Sequence, residues 1–338
     1  MKIAILGAGS IGCYLGGALI AAAADVTLIG RARMAEAILQ HGLHLSDLRD
    51  RSTHIEGNRV QYAQTSAALA EADLILVTVK SADTAQAGKD IAAYAKPSTV
   101  VISFQNGIGN ADVLRAALPA MLATTVLGGM VPFNVVQMSN GRFHRGTEGE
   151  LMLEASPAIA PYKAIFASAG IPLQEQTDFI GVQWGKLLLN LNNPINALSN
   201  VPLKTELSRR AYRQCLAALI DEALTVLNTA QIAPAKIAKV GPHLLPTLLR
   251  LPDFLFTRIA KAMLRIDPEA RSSMWEDLQA GRRTEVDYIN GAVIQLAQKV
   301  GMDAPKNRCI VGLIRKAELQ KNASWSGADL LTELEAAR

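Results

Sequence analysis

At 338 residues the chain has room for about two domains, and with 50% hydrophobic and 19% charged residues it has the material for buried cores, not the composition of a disordered chain. Its net charge of +4 is scattered, with no basic stripe and no recognisable nucleic-acid module, so nucleic acid is not an expected partner and a small anionic ligand is. Three distant cysteines (Cys13, Cys215, Cys309) form no C-x-x-C, and the five histidines show no metal-binding spacing, which argues against a disulfide scaffold and a metal site alike.

The chain opens with a short apolar run, Lys2–Leu6, followed at once by Gly7-Ala8-Gly9-Ser10-Ile11-Gly12 and a stretch rich in Ala, Leu and Gly. This is the order strand, glycine turn, helix, with the spacing G-x-G-x-x-G. In that spacing Gly7 makes a tight turn, Gly9 lets the backbone approach a pyrophosphate, and Gly12 lets the helix pack close to the strand. The helix N-terminus then presents unpaired N–H groups and its positive end to the phosphates. Asp25–Ile29 reads as a second strand, and Gly30-Arg31 follows it. An acidic residue near this place holds the ribose hydroxyls of NAD. A basic one accommodates the 2′-phosphate of NADP, so Arg31, with Arg33 nearby, predicts NADP(H).

Residues 73–79 form a near-continuous apolar run, as a strand buried on both faces does, and end in Lys80-Ser81. A helix is predicted over 82–94 and a further strand over 99–103. That strand ends in Phe104-Gln105-Asn106-Gly107-Ile108-Gly109. The carboxyl ends of such strands line the ligand crevice, which places Lys80 and Asn106 there. Strands are predicted over 124–128 and 131–138, with a hairpin turn at Asn140-Gly141, and further strands over 150–154 and 171–174. Two uncharged runs, 3–24 and 116–141, are long enough to span a bilayer, but glycines and prolines divide both, so no membrane association is expected and the chain reads as cytoplasmic.

From about residue 178 the periodicity becomes helical. Helices are predicted over 179–198, 208–230, 273–280, 284–300 and 306–320, with a proline-punctuated helical stretch over 242–264 and a loosely held end from residue 323. In Trp184-Gly185-Lys186-Leu187-Leu188-Leu189-Asn190-Leu191-Asn192-Asn193-Pro194, a single helix puts Lys186, Asn190 and Asn193 at i, i+4 and i+7 on one face, with leucines on the other. A lysine partly withdrawn from water loses preference for its charge and can serve as a general acid. A snorkelling lysine beside asparagines that cap a broken helix would show the same pattern. Downstream lie Arg271-Ser272-Ser273-Met274 and Arg282-Arg283-Thr284-Glu285-Val286-Asp287-Tyr288-Ile289-Asn290-Gly291. Taken singly, their serines read as helix caps and Glu285 as a carboxylate at a helix start.

Together, the Gly7-to-Gly12 turn, Lys80, the Asn106-Gly107 turn, Lys186 with Asn190, the Ser272-Ser273-Met274 triplet and the stretch from Thr284 to Gly291 resemble the ketopantoate reductase (2-dehydropantoate 2-reductase) family from residue 1 to about 320. The resemblance implies an α/β Rossmann-type domain followed by an all-α helical domain, with the site in the cleft between them. The domain bounds are 1–177 for the NADP-binding part, 178–322 for the helical substrate part and 323–338 for a tail. It implies NADPH-dependent reduction of ketopantoate to pantoate, on the route to pantothenate and coenzyme A. Lys186 matches the general acid, Glu285 the carboxylate that binds the substrate's terminal hydroxyl, and Asn190 an amide that orients lysine and substrate. Ser273 matches the serine that holds the substrate carboxylate, Asn106 the bridge between nicotinamide and substrate, and Asn193 a second substrate-side amide. Gly7, Ala8, Gly9, Ser10, Ile11, Gly12, Arg31, Lys80 and Asn106 match the cofactor side.

Four departures touch the pocket. Asn193 precedes Pro194 one residue earlier than the family spacing places its asparagine, Ala270 and Arg271 stand where a polar contact often occurs, Leu203 replaces an asparagine, and the stretch 231–270 is long. A reductase of another 2-oxo acid therefore remains an alternative, as does a non-catalytic NADP-binding sensor, which would have no use for Lys186, Asn190 and Glu285 together. The expected partner is a small 2-oxo acid, and the sequence leaves a homodimer open.

Overall fold

Twelve strands form in the first half of the chain: β1 Lys2–Leu6, β2 Asp25–Ile29, β3 Leu43–Asp47, β4 Ser52–Ile55, β5 Gln61–Ala63, β6 Leu74–Val77, β7 Val100–Ser103, β8 Val126–Met130, β9 Val135–Gln137, β10 Arg142–Arg145, β11 Leu151–Glu154 and β12 Leu173–Gln176. This is a computed structural model that describes residues 1–123, 125–237, 240–259, 270–320 and 324–337. The chain divides into two units, Met1–Phe179 and Ile180–Arg338.

In the first unit eight strands form one sheet in the order β12-β11-β8-β7-β6-β1-β2-β5. The neighbours from β5 to β8 are parallel, and only β11 runs antiparallel to β8. Along β1 the alternation of a strand sends Ile3 and Ile5 into one core cluster and Ala4 and Leu6 into the other. Both faces are therefore covered, which is why β6 and β7 are buried along their length and apolar but for Ser103. The helices of this unit are α1 Ser10–Ala21, α2 Ala32–His41, α3 Thr84–Tyr94, α4 Asn110–Ala117, α5 Ala120–Ala123 and α6 Lys163–Ser168. A smaller sheet, β4-β3-β10-β9, closes on the Asn140-Gly141 turn, where both residues adopt the left-handed conformation (φ 59° and 66°). The strand expected over 131–138 is only β9, and β8 ends at Met130. Pro132 between them has no N–H to give a ladder. Strand β4 carries no apolar alternation, and the sequence reading passed over it.

The second unit is helical: α7 Phe179–Asn190, α8 Asn192–Ser199, α9 Leu203–Ser208, α10 Arg210–Thr229, α11 Leu245–Leu249, α12 Asp253–Ile259, α13 Ser273–Gln279, α14 Val286–Lys299, α15 Pro305–Gln320 and α16 Gly327–Ala336. The single helix expected over 179–198 is two, α7 and α8. Pro194 cannot donate to the carbonyl of Asn190, so the ladder is interrupted at Leu191. The helix expected over 208–230 starts at Arg210, because Arg209 is extended (φ −105°, ψ 119°).

The end of the chain, expected to be loosely held, is a packed helix. Ser326 caps α16, Leu330 and Leu334 are fully buried, and Trp325 N–H donates to Leu198 O at 2.8 Å. Two turns of apolar side chains are enough to hold it, and the sequence reading gave them no weight. The proline-rich stretch is gathered by Arg213, which is fully buried on α10 and donates to the carbonyls of Leu207, Leu249 and Leu251 at 3.0, 3.1 and 2.7 Å. Its charge is met by Asp253 at 2.9 Å and by the ring of Phe256 at 4.1 Å. Residues 260–264 and 321–322 of the expected elements, and residue 124, lie outside the described residues.

Candidate active site

In the first unit the candidate residues collect at one edge of the sheet. Strands β1, β2, β6 and β7 are parallel, so Gly7, Arg31, Lys80 and Asn106 all lie just beyond carboxyl ends that face the same way. The chain order reverses between β1 and β6, which makes this the switch point where open α/β sheets bind ligands.

The glycine turn is built there by backbone geometry. Gly7 has φ +113°, and a Cβ on it would lie 2.6 Å from Val79 N. A Cβ on Gly12 would lie 2.2 Å from Gly7 O. A Cβ on Gly9, by contrast, would meet nothing within 4 Å, so the space above Gly9 is open to a ligand. Thr78 Oγ1 donates to Gly7 O at 2.7 Å and pins the turn to β6. Ala8 N–H donates to Ile29 O at 2.9 Å and pins it to β2. No side chain caps α1, and its first turn, which includes Ser10 and Ile11, carries no acid. An open space over an uncapped helix N-terminus is the geometry that a pyrophosphate would require. Cys13, one turn in, is a packing residue: burial pushes its thiol up to about 12.

Arg31 is exposed at the start of α2, and its carbonyl accepts from Tyr62 OH at 3.1 Å. Lys80 and Asn106 are exposed as well. The Asn106 turn is held from beneath by polar side chains that the sequence reading did not single out. Ser81 Oγ and Asn110 Nδ2 both donate to Asn106 O, at 2.8 and 2.7 Å. Thr84 Oγ1 bonds Asn110 Oδ1 at 2.9 Å, and Gln105 Nε2 donates to Thr84 at 2.7 Å. Their signal was a run of small polar residues just past two buried strands.

In the second unit Lys186 stands near the end of α7 and is half-buried. Withdrawal from water lowers its pKa to about 8. The chain at Ala235 lies directly on this helix: Ala235 N–H donates to Gly181 O at 2.8 Å, and a Cβ on Gly185 would lie 2.2 Å from Ala235 O. Asn190, one turn after Lys186, ends α7, and Asn193 lies beyond the interruption, in the first turn of α8.

Ser272 caps α13, accepting from Trp275 N–H at 3.1 Å, and its own hydroxyl donates to Asn193 O at 3.2 Å. Ser273, the next residue, is exposed. Arg271 stacks on Trp275 with its guanidinium carbon 4.3 Å from the ring centre, and its Nη1 is buried without a hydrogen-bond partner among the described residues. Glu285 is half-buried at the N-terminus of α14. The start of that helix is anchored by Thr284, whose N–H and Oγ1 both donate to Glu318 Oε1 at 2.8 Å. Asp287 and Asn290, in the same stretch, are absorbed by structure: Asp287 pairs with Arg315 at 2.5 Å, and Asn290 donates to Asn307 at 3.0 Å. Among the described residues no group of three or more His, Cys, Asp or Glu side chains could hold a metal ion.

The family models decide what this combination belongs to. Residues 3–158 match the model for ketopantoate reductase PanE/ApbA, and residues 178–318 match the model for its C-terminal domain. The chain belongs to the ketopantoate reductase family. A 2-dehydropantoate 2-reductase of Pyrococcus horikoshii is 32% identical over 94% of this chain and 98% of its own length. One from Archaeoglobus fulgidus is 27% identical over the same shares. The crystal structure of a PanE/ApbA family ketopantoate reductase from Ralstonia eutropha superposes with a TM-score of 0.79 at 30% identity, over 95% of this chain and 99% of that one. The fold of this family member, a parallel-sheet α/β domain followed by a helical one, is thus shared along nearly the whole chain. Among the described residues no helix is long and apolar enough to cross a membrane.

Proposed function

We propose that this protein reduces 2-dehydropantoate to pantoate with NADPH, as the names of its relatives imply. The observation that carries the proposal is Lys186, a half-buried lysine whose pKa is lowered to about 8 on the helix that ends in Asn190. A lysine at that pKa is largely protonated at neutral pH and gives up its proton more readily than a solvated one.

The glycine turn fits a dinucleotide: the open space at Gly9 admits the pyrophosphate, and the uncapped end of α1 supplies N–H donors and positive charge. Arg31 would hold the 2′-phosphate, with no acidic side chain at Gly30 to Arg33 to repel it, and Lys80 adds charge at the same edge. NADPH, when bound, supplies a hydride. That hydride would go to the carbonyl carbon of the substrate, and Lys186 Nζ would give its proton to the carbonyl oxygen, leaving a hydroxyl. As charge builds on that oxygen, the Lys186 ammonium stabilises it before the proton moves. Asn190, one turn away, orients the lysine and the substrate. Ser273 takes the substrate carboxylate, Glu285 the terminal hydroxyl, Asn193 a further polar group, and Asn106 borders both substrate and nicotinamide.

The test is NADPH oxidation by the purified protein at saturating 2-dehydropantoate, beside a panel of other 2-oxo acids. Turnover confined to 2-dehydropantoate supports the proposal. Turnover confined to another acid assigns a different substrate, and tight NADPH binding with no turnover on any acid overturns the enzymatic reading.

A further inference from the structure

Helix α9 carries a carboxylate where a half-turn of apolar residue would serve packing better. Glu206 is fully buried, and among the described residues no cation pairs with it. A buried unpaired acid is costly, and burial pushes this one up to about 8, so at neutral pH it is held largely as the neutral acid. Its surroundings are amides. Asn196 Nδ2 donates to Glu206 Oε2 at 2.6 Å, and Asn192 borders the same carboxyl. Two buried oxygens in this pocket have no hydrogen-bond partner among the described residues, Glu206 Oε1 and Asn192 Oδ1. The Asn192 contact, like that of Asn196, favours the ionised carboxyl, and burial outweighs both.

The other side of Asn196 leads to the candidate site. Asn196 is itself fully buried, and its Oδ1 accepts from Ser272 N–H at 2.8 Å. Ser272 then caps α13 and donates to Asn193 O on α8. A second tie runs in parallel, from Leu203 N–H at the start of α9 to Ala270 O at 2.9 Å. Residues 270–272 therefore hang from α8 and α9 by hydrogen bonds, of which Asn196 to Ser272 is buried, and Ser273 is the next residue along.

We propose that Glu206 is a positioning residue for the substrate carboxylate: through the Asn196 amide it fixes the Ser272–Ser273 backbone at the head of α13. Glu206 touches neither substrate nor cofactor. Asn196 Nδ2 donates to Glu206 Oε2 at 2.6 Å and to Val201 O at 3.0 Å, and these two acceptors together turn Oδ1 toward Ser272 N–H. The inference rests on the proposed role of Ser273.

The experiment compares wild type, Glu206→Ala and Glu206→Gln in the full-length protein. Each is assayed for KM and kcat on 2-dehydropantoate, for NADPH affinity by fluorescence titration, and for hydrogen exchange of the 270–276 segment. Glu206→Gln keeps an oxygen for Asn196 Nδ2 and removes the titrating proton. The expected result for Glu206→Ala is a KM raised about tenfold, the equivalent of one 1.4 kcal/mol interaction. Its kcat and NADPH affinity stay within about twofold, exchange at 270–276 speeds up, and Glu206→Gln restores all three. If the alanine variant does not fold, Glu206→Asp, one methylene shorter, is read in the same way. An unchanged KM, whether or not the melting temperature falls, overturns the proposal, as does a KM that rises equally in the glutamine variant. Failure of the wild type to reduce 2-dehydropantoate appears before any variant is compared, and overturns the proposed function and this inference with it.

Discussion

The two units meet their chemical tasks with different materials. At the sheet edge of the first unit the candidate cofactor site is mostly backbone: a left-handed Gly7, an open Gly9, a close-packed Gly12 and the bare end of α1. Its named side chains, Arg31, Lys80 and Asn106, are exposed. In the helical unit the properties that matter come from burial: loss of water lowers Lys186 to about 8 and raises Glu206, the proposed positioning residue, to about 8. A backbone site is robust to what surrounds it and sensitive to any added atom. A desolvated side-chain site has the opposite character, and its chemistry changes with pH and packing.

Lys186→Ala tests this contrast most severely. It should lower kcat by about 10²–10⁴-fold, the usual worth of a positioned proton donor, while the NADPH dissociation constant stays within about twofold. A parallel loss of NADPH binding would show that the two sites are not separable. On the backbone side, Gly12→Ala should weaken NADPH binding more than about tenfold and lower the melting temperature by about 2–8 °C, because its Cβ would press on Gly7 O. Gly9→Ala should weaken NADPH binding alike and leave the melting temperature unchanged, since nothing in the protein lies within 4 Å of that Cβ. A stability loss at Gly9 would mean that the open space serves folding and not a ligand.

Arg31→Ala should raise the dissociation constant for NADPH about ten- to a hundredfold, as loss of a charge-assisted contact worth about 1.5–3 kcal/mol requires. The constant for NADH should not move; equal losses for both cofactors would sink the 2′-phosphate role.

The smallest effects lie in pH. As the proposed acid Lys186 must be protonated, so kcat should be flat below about pH 8 and fall above it, whereas a profile flat to pH 10 would remove Lys186 as the acid. Glu206 keeps in the folded state a proton that the unfolded chain releases at an ordinary carboxylate pKa. Its contribution to stability is therefore full below that value and lost as pH rises through about 8. Denaturant titrations at pH 5, 7 and 9 should show this decline in the wild type and not in Glu206→Gln.

The contrast between the units also governs what could be read without coordinates. The spacing of Gly7, Gly9 and Gly12, the apolar strands and the basic Arg31 are local in sequence, and so were legible there, as were most helices of the second unit. Lys186 and Asn190 were legible as one face of a helix, but Asn193 was not on that helix, because Pro194 interrupts it. The resemblance in the stretch from Thr284 to Gly291 supplied the family where periodicity alone supplied only helices. The packed α16 escaped notice because its anchor, Trp325 on Leu198, joins residues 127 positions apart.

The sequence by itself determined the division into an α/β half and a helical half, the glycine turn, the cofactor class and the family, since each depends on residues close together along the chain or on a linear motif. The tertiary structure alone decided which polar side chains lose their water. Glu206, Asn192, Asn196 and Ser272 carry no joint pattern in the sequence, yet folding gathers them into one buried network. Hydration is a property of what surrounds a group in space, and in this chain those surroundings come from segments as far apart as α8, α9 and α13.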